Sequence, residues 1–371
     1  MMTIATNPLS VQQTMSLAEI TINMNPNFKS IDQPFSNKIN IDGTSYLYFG
    51  GTAYLGIPQN QDFINLNIEG IKKFGLNNGT SRTNNIQQGI YNEAEKVAAA
   101  RYGAEAALIT SSGYLAAQLT VKALCRLGQV IYGPAAHPAL WLVENQTKNL
   151  MLFRDWEQET IERINSSEEK TWVLVSNSMN NLVPEIYDFD FAKELSKDKN
   201  IILVVDDSHG IGVNNNGIGA IVNLPKQENI ENVVVASMAK ALGVDAGIIL
   251  ASDKMIDKLK KTNTFIGASP PSAAGLYAFI HAEQIYSKAL NKLKNNMAMF
   301  EEALNLTWEF AWDFPVYLLG DINFSQRLLQ QQILISSFPY PNPTDKTLNR
   351  IVLSAWHEKE DIEKLIAAIN F

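Results

Sequence analysis

The chain is poor in the residues that carry much of enzyme chemistry, with one cysteine and four histidines among 371 positions. A lone cysteine excludes an intrachain disulfide framework. Cys125 lies in the apolar stretch from Leu119 to Leu127, where packing outweighs reactivity as its role. No His/Cys spacing suits zinc, so no metal is expected, and no Gly-x-Ser-x-Gly elbow is present to make a serine hydrolase. No stretch approaches the ~20 apolar residues of a membrane span. Residues 1–20 lack the basic start and apolar run of a secretion signal, so the cytoplasm is the expected address. Excess positive charge is missing too. The net charge of −8 repels phosphate backbones on average and argues against a nucleic-acid partner. Internal repeats and low-complexity blocks are also absent.

What remains is a regular alternation of short apolar runs and helical patterns. Asp62 to Phe74 spaces Phe63, Leu66, Ile71 and Phe74 along one helix face, and Gly75 stops it. Tyr91 to Tyr102 is a second helix ending at Gly103. Strands are predicted at Ala106–Thr110, Gln129–Tyr132, Trp172–Ser176, Ile201–Val205, Val233–Ala236 and Gly247–Leu250. Helices are predicted at Tyr114–Leu127, Trp156–Ile164 and Phe189–Ser196. The strands are nearly all apolar, as a sheet covered on both faces requires. Strand and helix in alternation give right-handed crossovers and an α/β fold with a mostly parallel central sheet. After Pro270 and Pro271 a long helical stretch, Ser272 to Leu306, can bridge two lobes. Phe314 to Phe371 reads strand, helix, strand, helix. The expected organisation is an arm over residues 1–55, a large domain over 56–285 and a small C-terminal α/β domain over 286–371. His281 is expected to pack inside the long helix, and His357 to play a structural role beside the strand Ile351–Ala355.

The densest chemical signal is Val204-Val205-Asp206-Asp207-Ser208-His209-Gly210, directly after an apolar strand. Side chains at the carboxyl ends of strands in such a sheet emerge where ligands bind. Asp206 could hold the proton on a pyridine nitrogen, and His209 could reach the phenolic oxygen of the same ring. A helix-capping aspartate, or a metal pair of Asp207 and His209, remains an alternative. The next strand ends in Ser237-Met238-Ala239-Lys240-Ala241-Leu242-Gly243. An amine among apolar residues has a lowered pKa and attacks an aldehyde as the free base, although a snorkelling surface lysine fits the same pattern. An acid and an amine at successive strand ends form a matched set around one ring, which points to pyridoxal phosphate. Ser237 could bind its phosphate. Ser111-Ser112-Gly113-Tyr114 offers a phosphate cradle at a helix start, with Gly113 permitting close backbone approach. His137, in the loop Gly133-Pro134-Ala135-Ala136-His137-Pro138, could stack on the ring. Gly210-Ile211-Gly212 follows a His turn rather than opening a helix, so a dinucleotide loop fails its context.

Together these motifs resemble those of the α-oxoamine synthases, fold-type-I pyridoxal-phosphate enzymes, over about Tyr46 to Ile366. Val205 to Gly210 is similar to the family's Val-Asp-(Asp/Glu)-(Ala/Ser)-His-Gly, and Ser237 to Gly243 to its Thr/Ser-x-x-Lys-Ala-Leu-Gly. The resemblance implies that Asp206 meets the pyridine nitrogen, His209 the ring oxygen, Lys240 the aldehyde carbon and Ser237 the phosphate. Gly113 and Tyr114 match the phosphate turn, and His137 the stacking histidine. Ser178-Met179 resembles the start of Ser-Met-Asp-Gly, and Ser81-Arg82 with Glu95 a Ser-Arg segment before a Leu-Glu helix. Arg350 to Ala355 resembles the strand whose arginine pairs with an amino-acid carboxylate, a bidentate job that suits arginine. Arg350, Thr52 and Arg82 are therefore the expected substrate contacts. Departures cluster on that side: Thr52-Ala53-Tyr54-Leu55-Gly56 replaces Asn-Asp-Tyr-Leu-Gly, Ile86 a glycine, Tyr91 a histidine, and Asn180 and Asn181 the Asp-Gly pair. The family implies decarboxylative condensation of an amino acid with an acyl thioester, with Lys240, His209 and His137 catalytic, in a homodimer with its sites at the interface. An aminotransferase or aldolase-type reaction, or a scaffold without turnover, is the alternative.

Overall fold

The computed structural model describes residues 30–143, 151–180, 182–304, 307–321, 323–339 and 347–370. A hairpin of β1 (Lys38–Ile41) and β2 (Thr44–Phe49) opens it, followed by helices α1 (Gln61–Phe74) and α2 (Ile90–Tyr102). The Asn60 side chain accepts from Phe63 N at 3.0 Å to start α1. Gly103, at φ +67°, ends α2 in a left-handed turn that glycine adopts freely. Next come β3 (Ala106–Thr110), α3 (Gly113–Leu124), β4 (Gln129–Tyr132), α4 (Phe153–Ser166) and β5 (Thr171–Asn177). A short pair, β6 (Met179–Asn180) and β7 (Glu185–Ile186), precedes β8 (Asn200–Asp206), β9 (Ile230–Ser237) and β10 (Gly247–Ala251). Helices α5 (Asp253–Lys260), α6 (Asn263–Ile266), α7 (Ala273–His281) and α8 (Glu283–Glu301) follow. Then come β11 (Glu309–Phe310), β12 (Val316–Leu318), α9 (Phe324–Gln330), β13 (Ile333–Pro339), β14 (Thr347–Val352) and α10 (Lys359–Ile369).

The first large sheet has the order β3-β10-β9-β8-β5-β4. β4, β5, β8 and β9 run parallel, and β10 is antiparallel to both its neighbours. This is the mostly parallel α/β sheet that the apolar strands predict. Alternate residues bury on opposite faces. Leu174, Leu203 and Val205 join one core with α2, α4 and α7; Val173, Val175 and Val204 join another with α3 and α5.

The second sheet has the order β1-β2-β13-β14-β12-β11. It takes β1 and β2 from within the expected N-terminal arm, with β2 parallel to β13. Residues 38–49 are thus a sheet edge rather than a loose arm, and residues 1–29 lie outside the described residues. The chain from Tyr48 onward is tied to the C-terminal strand end: Ser354 Oγ donates to Ala53 O at 2.6 Å, and Ala355 N to Tyr54 O at 2.9 Å.

Other expectations change in detail. The helix expected over Ser272–Leu306 breaks at Ala282 into α7 and α8, and Phe189–Ser196 contains only a short 3-10 turn, Asp190–Glu194. Within Phe314–Phe371, β12 and α9 follow the expected order, but two strands, β13 and β14, stand before α10 where the sequence predicts one. His281 is exposed, its ring 4.4 Å from Tyr277, so it is not a core residue. His357 is fully buried. Its Nδ1 accepts from Ser354 N at 3.0 Å and its Nε2 lies 2.9 Å from Tyr48 O, a structural role as expected. Cys125 is buried, and burial pushes its thiol up to about 12, which keeps it inert. Among the described residues no helix is long and apolar enough to cross a membrane.

Candidate active site

The parallel strands deliver their carboxyl ends to one edge of the first sheet, and a cavity of about 220 Å³ opens there. It is lined from β8 by Asp206, Ser208 and His209, and from β9 and its turn by Ser237 and Lys240. Asn177 and Met179 come from the end of β5, Gly113 and Tyr114 from the start of α3, and His137 and Ala139 from the loop after β4. Seven of the sequence-derived site residues therefore meet around one space: Lys240, Asp206, His209, His137, Ser237, Gly113 and Tyr114.

Lys240 and His209 are in direct contact, with Nζ 2.8 Å from Nε2. Burial, reinforced by the positive charge of Arg350, lowers the Lys240 amine to about 8, against the pull of Asp206 and Asp207. About a tenth is therefore free amine at pH 7, and about half at pH 8. His209 is held well below its usual pKa by burial first, then by Lys240, Arg350 and His137, so it is a neutral imidazole. Its Nδ1 lies 2.7 Å from the hydroxyl of Tyr54, a buried residue. The Asp206 carboxylate is braced by the Ser208 N–H at 2.9 Å.

His137 is fixed by its own loop. Asn177 Oδ1 accepts from His137 N at 3.0 Å, Asn177 Nδ2 donates to Ala135 O at 2.8 Å, and Ala139 N donates to His137 Nδ1 at 3.1 Å. That last bond leaves Nδ1 bare, so the ring orientation is set before anything binds. Burial, with Lys240 nearby, lowers its pKa despite Asp206.

The phosphate cradle has main-chain walls. Ser112 caps α3, its Oγ accepting from Leu115 N at 3.1 Å, and the other N–H groups of the first turn have no intrahelical partner. A Cβ on Gly113 would lie 2.6 Å from Ser237 Cβ, and one on Gly247 would lie 2.1 Å from Ser112 O. Only glycine lets the turn, the serine and β10 approach so closely. Ser237 N in turn donates to Ser208 Oγ at 2.9 Å. The residues present thus fit pyridoxal phosphate. An amine, a carboxylate, an imidazole and an anion cradle converge on one cavity.

Four expected residues are placed elsewhere. Ser178 does not line this cavity. It is buried behind β8 beside a space of about 20 Å³ shared with Asp207, Asn214 and Ala220. There Asp207 accepts from Ala220 N at 2.7 Å, and burial raises its carboxyl to about 7. Arg82 is buried in an ion pair with Glu95, stacks 5.1 Å from the Tyr91 ring and donates to Asn92 Oδ1 at 3.2 Å. Its guanidinium is a structural bolt rather than a cavity residue. Thr52 is half-buried and outside the lining. Arg350 sits in β14 of the second sheet, 8% exposed, over the Phe338 ring at 5.2 Å. It is outside the lining, yet its charge is felt at Lys240, His209 and Tyr54. Sequence reasoning missed Asn177, Met179, Ser208 and Tyr54. Asn177, a polar residue just past the apolar run Trp172–Val175, carried the one usable signal.

The aminotransferase class I and II family model matches residues 55–369. The 8-amino-7-oxononanoate synthase of Petrotoga mobilis is 27% identical over 354 residues, covering 88% of each chain. Among solved structures, the Sphingomonas wittichii serine palmitoyltransferase superposes with a TM-score of 0.77 at 17% identity, covering 95% of this chain and 93% of that one. A structure of SPT with PLP gives a TM-score of 0.77 at 19% identity, covering 91% and 90%.

Proposed function

The chain belongs to the aminotransferase class I and II family, as a pyridoxal-phosphate enzyme of α-oxoamine synthase type, and from that premise we propose that it condenses an amino acid with an acyl thioester. The acyl group joins the amino acid's α-carbon, the carboxylate leaves as carbon dioxide, and the thiolate takes up a proton to leave as free thiol. The product is an α-amino ketone. The observation that carries this reading is the contact of Lys240 Nζ with His209 Nε2 at 2.8 Å, in a cavity that Asp206 also faces.

When bound, pyridoxal phosphate supplies an aldehyde for the amine and a ring that delocalises negative charge at the substrate's α-carbon. Lys240, with an amine near 8, takes the α-proton from the bound amino acid and returns one to the α-carbon after carbon dioxide leaves. Asp206 would keep a proton on the ring nitrogen, and His209 would donate toward the ring oxygen. His137 would stack on the ring and limit water. Ser237 and the first-turn amides of α3 would hold the phosphate. Arg350, from the second sheet, orients the substrate carboxylate. The proposal includes a homodimer with its site at the interface. Tyr114 lines the cavity yet is 62% exposed, and a second copy would cover it.

The test is to load the protein with cofactor and offer glycine, alanine or serine with acyl-CoA or acyl-carrier protein thioesters. Free thiol and carbon dioxide released in equal amounts support the reading. Amino-group transfer to a keto acid without thiol release overturns it.

A further inference from the structure

His209 is held at both ends of its ring, by Tyr54 at Nδ1 and by Lys240 at Nε2. A neutral imidazole carries one N–H and one lone pair, so these two contacts cannot be made in the same sense. The choice falls to Tyr54. Its hydroxyl is buried and among the described residues its one hydrogen-bond partner is His209 Nδ1, at 2.7 Å. If Nδ1 carried the hydrogen, it would donate to the phenol oxygen and leave the phenol's own proton without an acceptor in a dry site, which buried donors avoid. An ionised phenolate would remove that difficulty, but burial holds the Tyr54 hydroxyl far above its ordinary pKa.

We propose that Tyr54 is a positioning residue that donates to His209 Nδ1 and so fixes the tautomer in which Nε2–H faces Lys240 and the cavity. The phenol ring is itself immobilised, edge-on to Phe314 with centroids 5.7 Å apart, so the donor is aimed before any ligand enters. Two consequences follow from the sense of the bond. Nε2–H donates into the lone pair of the Lys240 amine, which favours the neutral amine. Once Lys240 is engaged elsewhere, the same N–H is free to donate to an anionic oxygen in the cavity. Other groups act in the same direction on the ring: Lys240, Arg350 and His137 all oppose a second proton on it, so it stays neutral and its tautomer matters. The use of that N–H in turnover rests on the condensation proposed above; the tautomer itself rests on geometry alone.

The experiment uses the apoprotein with nitrogen-15-labelled histidine at about pH 9, where Lys240 is largely free amine. The His209 resonances are identified by their loss in His209→Asn. Long-range proton–nitrogen spectra are expected to show Nε2 protonated and Nδ1 bare. In Tyr54→Phe the preference for that tautomer should fall about tenfold, the loss of one buried hydrogen bond. A wild-type ring protonated at Nδ1, or an unchanged preference in Tyr54→Phe, overturns the proposal. The wild-type spectrum decides by itself should the variant fold poorly. In the loaded enzyme, Tyr54→Phe should lower kcat about tenfold with KM within about twofold. If no thioester is turned over by either form, the condensation fails while the spectra still decide the tautomer.

Discussion

On one side of the cavity, Asp206, Ser237 and Lys240 ride on adjacent strands of a single sheet, with Asp206 paired in register to Val235. On the other, Arg350 belongs to a strand of the second sheet, Thr52 to the segment joining the sheets, and Arg82 to a buried ion pair. The first set converges because parallel strands put their carboxyl ends in one place, whatever surrounds them. The second converges only if two separately built layers pack in one particular way. Side chains there can be recruited into local packing instead, as Arg82 is by Glu95, Asn92 and the Tyr91 ring.

This contrast can be broken or sharpened by substitution. Lys240→Ala should abolish borohydride trapping of the cofactor and reduce turnover by at least about a thousandfold; trapping that persisted would place the essential amine elsewhere. Arg82→Met should lower the stability of the apoprotein by about 2–3 kcal/mol in urea, because Glu95 loses its buried partner and keeps only Lys260 at 3.4 Å and the Ile109 N–H at 3.1 Å. A rise in KM with unaltered stability would return Arg82 to the substrate side.

Asp207 tests what lies behind the strand ends. Its folded carboxyl is raised from 3.8 to about 7, so its contribution is fully present below 3.8 and is lost as pH rises through 7. Urea unfolding should show up to about 4 kcal/mol of such loss between those limits, and Asp207→Asn should remove it. A pH profile identical in the two proteins would sink this account.

Arg350→Met should raise the KM for the amino acid about tenfold, and the Lys240 amine should move up from about 8 as a neighbouring positive charge disappears. Thr52→Val should alter KM by less than about twofold, since Thr52 lies outside the lining. A larger effect would mean that the substrate reaches further toward β2 than the cavity does.

The same division governs what was legible in the sequence. The strands Ala106–Thr110 and Gln129–Tyr132 coincide with their predicted bounds, because unbroken apolar runs between Gly and helix-capping residues leave few alternatives. Seven cavity residues were readable because each sits one turn or less beyond such a strand or opens a helix. The break at Ala282 was not readable, because His281-Ala282-Glu283 contains no Pro or Gly and apolar periodicity runs through it. Nor was the hairpin over residues 38–49: its polar residues look unstructured until β13, nearly 300 positions later, supplies the neighbouring edge. In the sequence Tyr54 is one residue of a motif in which Thr52 is the expected substrate contact. Only the three-dimensional distance to His209 tells the two apart.

The glycine contacts at Gly113 and Gly247 bear on how this protein can diverge. Because main chain meets main chain there, the width of the opening is gauged by strand register, Gly247 lying opposite both Thr110 and Ser237. Residues along those buried strands can be exchanged for apolar ones of like volume, provided the ladders do not slip. A shift of one position would push a side chain into the gap and shut it. The mould is thus cut in backbone, and a drifting sequence can repaint its rim many times without recasting it.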